Sequence, residues 1–163
     1  ARTTDQRSAG SSPVNDPIFR TMWRVVLDNA ALTSAMLNPH GKSARLLDYA
    51  YQGKLRLFTS ERMLAEEARV MKHKSLYSYH AMKQRELSQL LSDLPVLLCL
   101  VPGSKLQHRS TKGWQETELL NCASQSRADF VVTTEPAALA NARTTETQVV
   151  RVDQLVKLVD RGA

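Results

Sequence analysis

The sequence predicts a single α/β domain, a mostly parallel sheet of about five strands flanked by helices in three layers. Three observations predict it. Short apolar, β-branched runs alternate with longer segments whose apolar residues recur at helical spacing. Most of the short runs are apolar on both faces, as buried parallel strands are and half-solvated antiparallel strands are not. The length of 163 residues suffices for one ordinary domain with its own core.

The elements follow in order. Residues 1–20 are rich in Ser, Thr, Arg, Pro and Asp and read as a flexible leader, which leaves 21–163 as the domain. Trp23 to Leu27 is the first strand and stops abruptly at Asp28-Asn29. A helix from Ala30 to Leu37 follows, broken by Asn38-Pro39-His40-Gly41. Ser43 is placed to cap a second helix, with Ala44, Leu46, Leu47, Ala50 and Tyr51 on its apolar side, and Gly53 stops it. Leu55 to Thr59 is the second strand, and Ser60 caps a third helix that reaches Met71. Lys72 to Tyr79 is basic and aromatic, and His80 to Leu94 repeats apolar residues at helical spacing. Pro95 to Val101, nearly all apolar, is the third strand, and Pro102 to Gly113 a polar, basic loop. Glu116 to Ser126 is a helix and Phe130 to Thr133 the fourth strand. Pro136 opens a short helix, Val149 to Val152 is the fifth strand, and Asp153 caps a last helix through Leu158.

Composition excludes several classes. No run approaches the ~20 apolar residues of a membrane helix, and the N-terminus has no signal-peptide apolar core. No membrane partner is expected. The two cysteines, Cys99 and Cys122, have no metal-ligand spacing. They read as small buried hydrophobes in a reducing cytoplasm. The histidines show no ligand spacing, and no glycine-rich phosphate loop is present. A net charge of +6 favours a polyanionic partner, of which nucleic acid is the commonest.

In parallel α/β sheets ligands bind beyond the carboxyl ends of the strands. Asp28 follows the first strand, and Glu135 follows the fourth after Thr133-Thr134. Glu116 precedes Leu119 and Leu120 by three and four residues, which leans it inward along the apolar stripe. Each acid has a plain structural reading. Asp28 would cap the next helix, and Glu116 would complement a helix N-terminus. Several carboxylates converging on one sheet edge point instead to a cation site.

The segment Val25-Val26-Leu27-Asp28-Asn29-Ala30-Ala31-Leu32-Thr33-Ser34-Ala35-Met36 resembles the opening of PIN-domain proteins. Gly53-Lys54-Leu55-Arg56-Leu57, Ser60-Glu61-Arg62-Met63-Leu64-Ala65-Glu66-Glu67 and Ala128-Asp129-Phe130-Val131-Val132-Thr133-Thr134-Glu135 resemble later motifs of the family in the same order. The resemblance covers about residues 23 to 160 and is nearest to the toxin components of toxin–antitoxin pairs, the VapC-like branch. It implies a metal-dependent endoribonuclease that cleaves single-stranded RNA, with carboxylates holding Mg²⁺ or Mn²⁺. Carried over by position, those carboxylates are Asp28, Glu66, Glu116 and Glu135, with Asn29 and Thr133 in support. Helical periodicity does not choose between Glu66 and Glu67; the resemblance places the acid on Glu66. An antitoxin protein and a homodimer are the further partners it implies.

The match has departures. Ala30 stands where the family has an asparagine, and glutamates replace aspartates at 116 and 135. A second reading is therefore a catalytically degenerate PIN-like domain that binds RNA or a protein partner. Lys105, Arg109, Lys112 and Trp114 are the expected nucleic-acid contacts, by phosphate charge and base stacking; the plain alternative is a solvated basic loop.

Overall fold

The computed structural model describes residues 22–73, 84–102, 113–136, 139 and 146–162. The leader, most of the basic stretch after Lys72 and the loop expected from Pro102 lie largely outside the described residues. So do Lys105, Arg109 and Lys112.

The described chain runs β1 (Trp23–Leu27), α1 (Asn29–Leu37), α2 (Lys42–Tyr51), β2 (Leu55–Ser60), α3 (Glu61–Met71), α4 (Gln84–Leu97), β3 (Leu98–Val101), α5 (Trp114–Ser126), β4 (Phe130–Val132), β5 (Gln148–Val150) and α6 (Val152–Gly162). The five strands form one sheet in the order β3-β2-β1-β4-β5, and every pairing is parallel. The α/β class, the strand count and the parallel sheet expected from the sequence are thus found.

Successive strand residues face opposite sides of the sheet, and each side has its own core. Val25, Leu27, Leu55, Leu57, Phe130, Val132 and Val150 pack with α1, α2, Leu94 and α6. Val26, Phe58, Val131 and Val149 pack with Met63 of α3 and with Leu119, Cys122 and Ala123 of α5. Three layers result. Trp23 meets Phe130 edge-on at 5.1 Å at the opposite end of β1 from Asp28.

Three expected boundaries are corrected. Pro95 to Leu97 belong to the end of α4, and only Leu98–Val101 form the strand. Pro95 lies inside the last turn, where it lacks the N–H that would donate to the Leu91 carbonyl, and the helical turn leaves Val96 89% exposed. Helix α2 starts at Lys42 with Gly41 as its cap residue, so Ser43 lies buried in the first turn and does not cap. Asp153 likewise lies inside the first turn of α6; the Gln154 side chain accepts from the Arg151 N–H at 2.8 Å instead. Among the described residues no helix is long and apolar enough to cross a membrane.

Ser60 caps α3 as expected. Its hydroxyl accepts from the Met63 N–H at 3.1 Å, in a fully buried position. Ser60→Ala is expected to cost about 1 kcal/mol, checked by urea unfolding, because a buried backbone donor loses its acceptor.

Candidate active site at the carboxyl edge of the sheet

The strands β2 and β3 lie on one side of β1, and β4 and β5 on the other. The chain order reverses between β1 and β4, so their carboxyl ends diverge around a crevice. The register brings Leu27 beside Val132. The first residues beyond those partners are Asp28 and Thr133.

Asp28 does two things there. One carboxylate oxygen, Oδ1, accepts from the Ala31 N–H at 2.7 Å and caps α1. The other, Oδ2, accepts from the Thr134 N–H at 3.2 Å, and the Asp28 N–H donates to the Val132 carbonyl at 2.9 Å. The capping role and the place at the site edge therefore coexist, one oxygen for each. Beside it, the Asn29 side-chain amide donates to the Met63 carbonyl at 3.1 Å and ties α1 to α3. Ala30, where the family has its amide, is exposed.

Helix α3 separates its two adjacent acids by about a quarter turn. Glu66 lines the crevice but turns to Arg69, which donates to both of its oxygens at 3.0 and 2.7 Å. Glu67 is fully buried. One of its oxygens, Oε2, accepts from the Thr33 hydroxyl at 2.7 Å, and the other, Oε1, has no partner among the described residues. Burial pushes its carboxyl up to about 7, with Glu66 and Asp28 adding repulsion against the Thr33 hydrogen bond. The resemblance places the second acid on Glu66; the carboxylate that turns into the interior is Glu67. Its signal was present in the sequence, because Met63, Glu67 and Met71 follow each other at four-residue intervals on the buried stripe.

The third side of the crevice is the start of α5. Gly113 precedes it with φ +90°, a backbone region in which a side chain is strained. Glu116 lines the crevice but is exposed, which corrects the expectation that it leans inward. The buried stripe of α5 is Glu118, Leu119, Cys122, Ala123 and Ser126, centred about a quarter turn away from Glu116. Glu118, not singled out from the sequence, is fully buried, and its Oε1 stands 3.9 Å from the Arg62 guanidinium. Beside it the Cys122 thiol is pushed up to about 12, by burial first and then by Glu118. Cys122 is a buried small residue, as expected; Cys99 is half-buried.

At the end of β4, Thr133 is buried, and its hydroxyl accepts from the Glu135 N–H at 3.2 Å. Glu135 itself is exposed. The cavity these elements enclose measures about 330 Å³ and is lined by Asp28, Asn29, Thr33, Glu66, Glu67, Trp114, Glu116, Thr133 and Glu135, among others. All four acids expected from the resemblance reach it, together with Glu67.

A family model described as PIN domain matches residues 24–136, from β1 through the residues after β4. The chain belongs to the PIN domain family. No curated protein matches it. PIN domains are generally nucleases, so membership assigns this chain a nuclease-type function in general terms, and PIN nucleases typically use divalent metal ions. The matched span contains every acid of the cavity.

The donor set of this PIN domain suits a hard divalent cation. It is made of carboxylate and hydroxyl oxygens, and the orphaned Oε1 of Glu67 is a buried oxygen whose charge only a cation or a proton would offset. Among the described residues no three His, Cys, Asp or Glu stand close enough to hold an ion together. A small hard cation that keeps several waters needs only one or two direct carboxylates. The residues present fit such an ion with Asp28 and Glu67 innermost and the exposed acids around them.

Proposed function

We propose that this PIN domain is a divalent-metal-dependent endoribonuclease acting on single-stranded RNA, of the kind found as the toxin half of toxin–antitoxin pairs. The observation that carries the reading is the Glu67 carboxylate, buried with one oxygen unpartnered beside Asp28 at the switch point of the sheet. A buried carboxylate left ionised in that state is costly unless a cation offsets its charge. A Mg²⁺ or Mn²⁺ ion there would lower the pKa of a water and offset the charge of a phosphodiester.

The chain's own residues set the geometry. Thr33 holds one oxygen of Glu67, and the Thr134 N–H holds the outer oxygen of Asp28. Thr133 fixes the turn that carries Glu135 through the Glu135 N–H. The exposed Glu116 and Glu135 have one more bond of reach than aspartates and approach from the rim. They are suited to contact through water. The +6 net charge supports an RNA substrate in general terms. An antitoxin protein and a second copy of the chain are the partners the family resemblance suggests.

Incubation of single-stranded RNA with the protein in Mn²⁺ should produce cleavage that EDTA stops. A second reading, a binding module without catalysis, draws on the spacing of the acids. Calorimetric titration with Mn²⁺ separates them: absence of metal binding together with intact RNA would leave only the binding module.

A further inference from the structure

Trp114 is the aromatic residue on the wall of the acid-lined cavity, and it is half-buried. One face of its indole is already used. The Arg62 guanidinium lies over the ring, 5.2 Å from the centroid, as a cation–π partner. Arg62 is itself held in place. Its side chain is 14% exposed and stands 3.9 Å from Glu118, whose side chain is 1% exposed. Three side chains from two helices thus form a stack that runs from a buried carboxylate, through a guanidinium, to an indole at the cavity. Gly113 starts α5 one residue earlier with its positive φ, so the indole sits on the first residue of a rigid helix.

We propose that Trp114 is a stacking platform for one unpaired nucleobase next to the phosphodiester held over the acids, and that Arg62 and Glu118 are its positioning residues. The chemistry follows from the parts. A flat indole backed by a cation on one face offers the other face to a flat partner, and base–aromatic stacking tolerates any base. The ring lines the same cavity of about 330 Å³ as Asp28 and Glu67, so a base on it belongs to a nucleotide whose phosphodiester, or the next one, can reach the acids. A paired base has both faces stacked already and cannot use the platform without leaving its helix. The platform therefore selects single strands by access rather than by hydrogen-bond readout. The inference rests on the nuclease reading only for the identity of the neighbouring phosphodiester.

The test uses the full chain in EDTA, so that binding is read without cleavage. The anisotropy of a labelled oligouridylate, of the matching deoxy strand and of a duplex is measured against the wild type, Trp114→Phe, Trp114→Ala and Glu118→Gln. Trp114→Ala should weaken single-strand binding roughly tenfold, and Trp114→Phe should recover most of it. Duplex binding should be weaker throughout and insensitive to these changes. The chain has two tryptophans, and Trp23 lies at the far end of β1. In Trp23→Phe protein, single strands should quench the remaining emission, and adding Glu118→Gln should shift that emission and reduce the quenching. Equal single-strand affinity of Trp114→Ala and wild type, or equal quenching by duplex, would overturn the platform. A ribose strand and a deoxy strand that bind alike support stacking, and a strong ribose preference would move the recognition to the sugar and count against it. Platform binding in a protein that never cleaves RNA would remove the nuclease reading alone; cleavage with no Trp114 effect would remove this inference alone.

Discussion

Asp28→Asn is expected to lower Mn²⁺-dependent RNA cleavage on the order of 10³-fold while the domain stays folded. The two effects are separable in size. In the folded protein both Asp28 oxygens accept from backbone donors, Ala31 N–H and Thr134 N–H. An asparagine has one acceptor, so its NH₂ must face one of those donors whichever way the amide is turned. One lost hydrogen bond at a half-buried site costs about 1 kcal/mol. In a domain of this size that moves the melting midpoint by roughly 2–4 °C, against a total stability of about 5–15 kcal/mol. The catalytic loss is larger. Removing a charged ligand forfeits several kcal/mol of charge stabilisation, and each ~1.4 kcal/mol is a factor of ten in rate. Cleavage assays and thermal melts on the same samples decide it. A variant that melts a few degrees early and cleaves at the wild-type rate would remove Asp28 from the catalytic set.

That Asp28 both caps α1 and lines the cavity explains why the sequence marks this position so clearly. Val25-Val26-Leu27 followed by an acid gives the strand end, and the same acid starts the helix. The strand ends were legible because parallel central strands are apolar on both faces, and the switch point follows from where the polar residues resume. The acids on helices were harder. Adjacent Glu66 and Glu67 differ only in which stripe they join, and the interval Met63, Glu67, Met71 decides it. In α5 the pair Leu119-Leu120 suggested a stripe centred between them. Leu120 is only half-buried, and the stripe runs through Glu118, Leu119, Cys122, Ala123 and Ser126. A buried glutamate breaks the rule that charges stay outside, so a hydrophobicity pattern passes over it. The run from Pro95 to Val101 misled for a different reason. A short apolar run reads the same as a strand or as the end of a helix, and only the pairing of Leu57 with Leu98 fixes where β3 begins.

Glu67→Gln is the change with the largest expected effect on the pH dependence of stability. The folded protein holds the Glu67 carboxyl at about 7, above the ordinary value of 4.5. Between those values the folded state binds a proton that the unfolded state has released. The contribution is therefore fully present below about pH 4.5 and is lost as the pH rises through about 7. A shift of this size corresponds to about 3 kcal/mol. Glutamine keeps an acceptor for Thr33 but puts an NH₂ where Oε1 has no partner, at a cost of roughly 1–3 kcal/mol that does not vary with pH. Only the pH-dependent part identifies the carboxyl. Urea unfolding of both proteins in EDTA should show the wild type losing about 3 kcal/mol relative to Glu67→Gln between pH 4.5 and pH 8. Saturating Mn²⁺ should return most of that difference at pH 8 and little at pH 5, because a cation stabilises the ionised carboxylate and competes with the proton. The same metal should do little for the glutamine variant at either pH. Parallel stability curves in EDTA would mean that Glu67 is not the group titrating near neutrality. A metal effect of equal size in both proteins would place the ion elsewhere, on Asp28 and the rim acids alone.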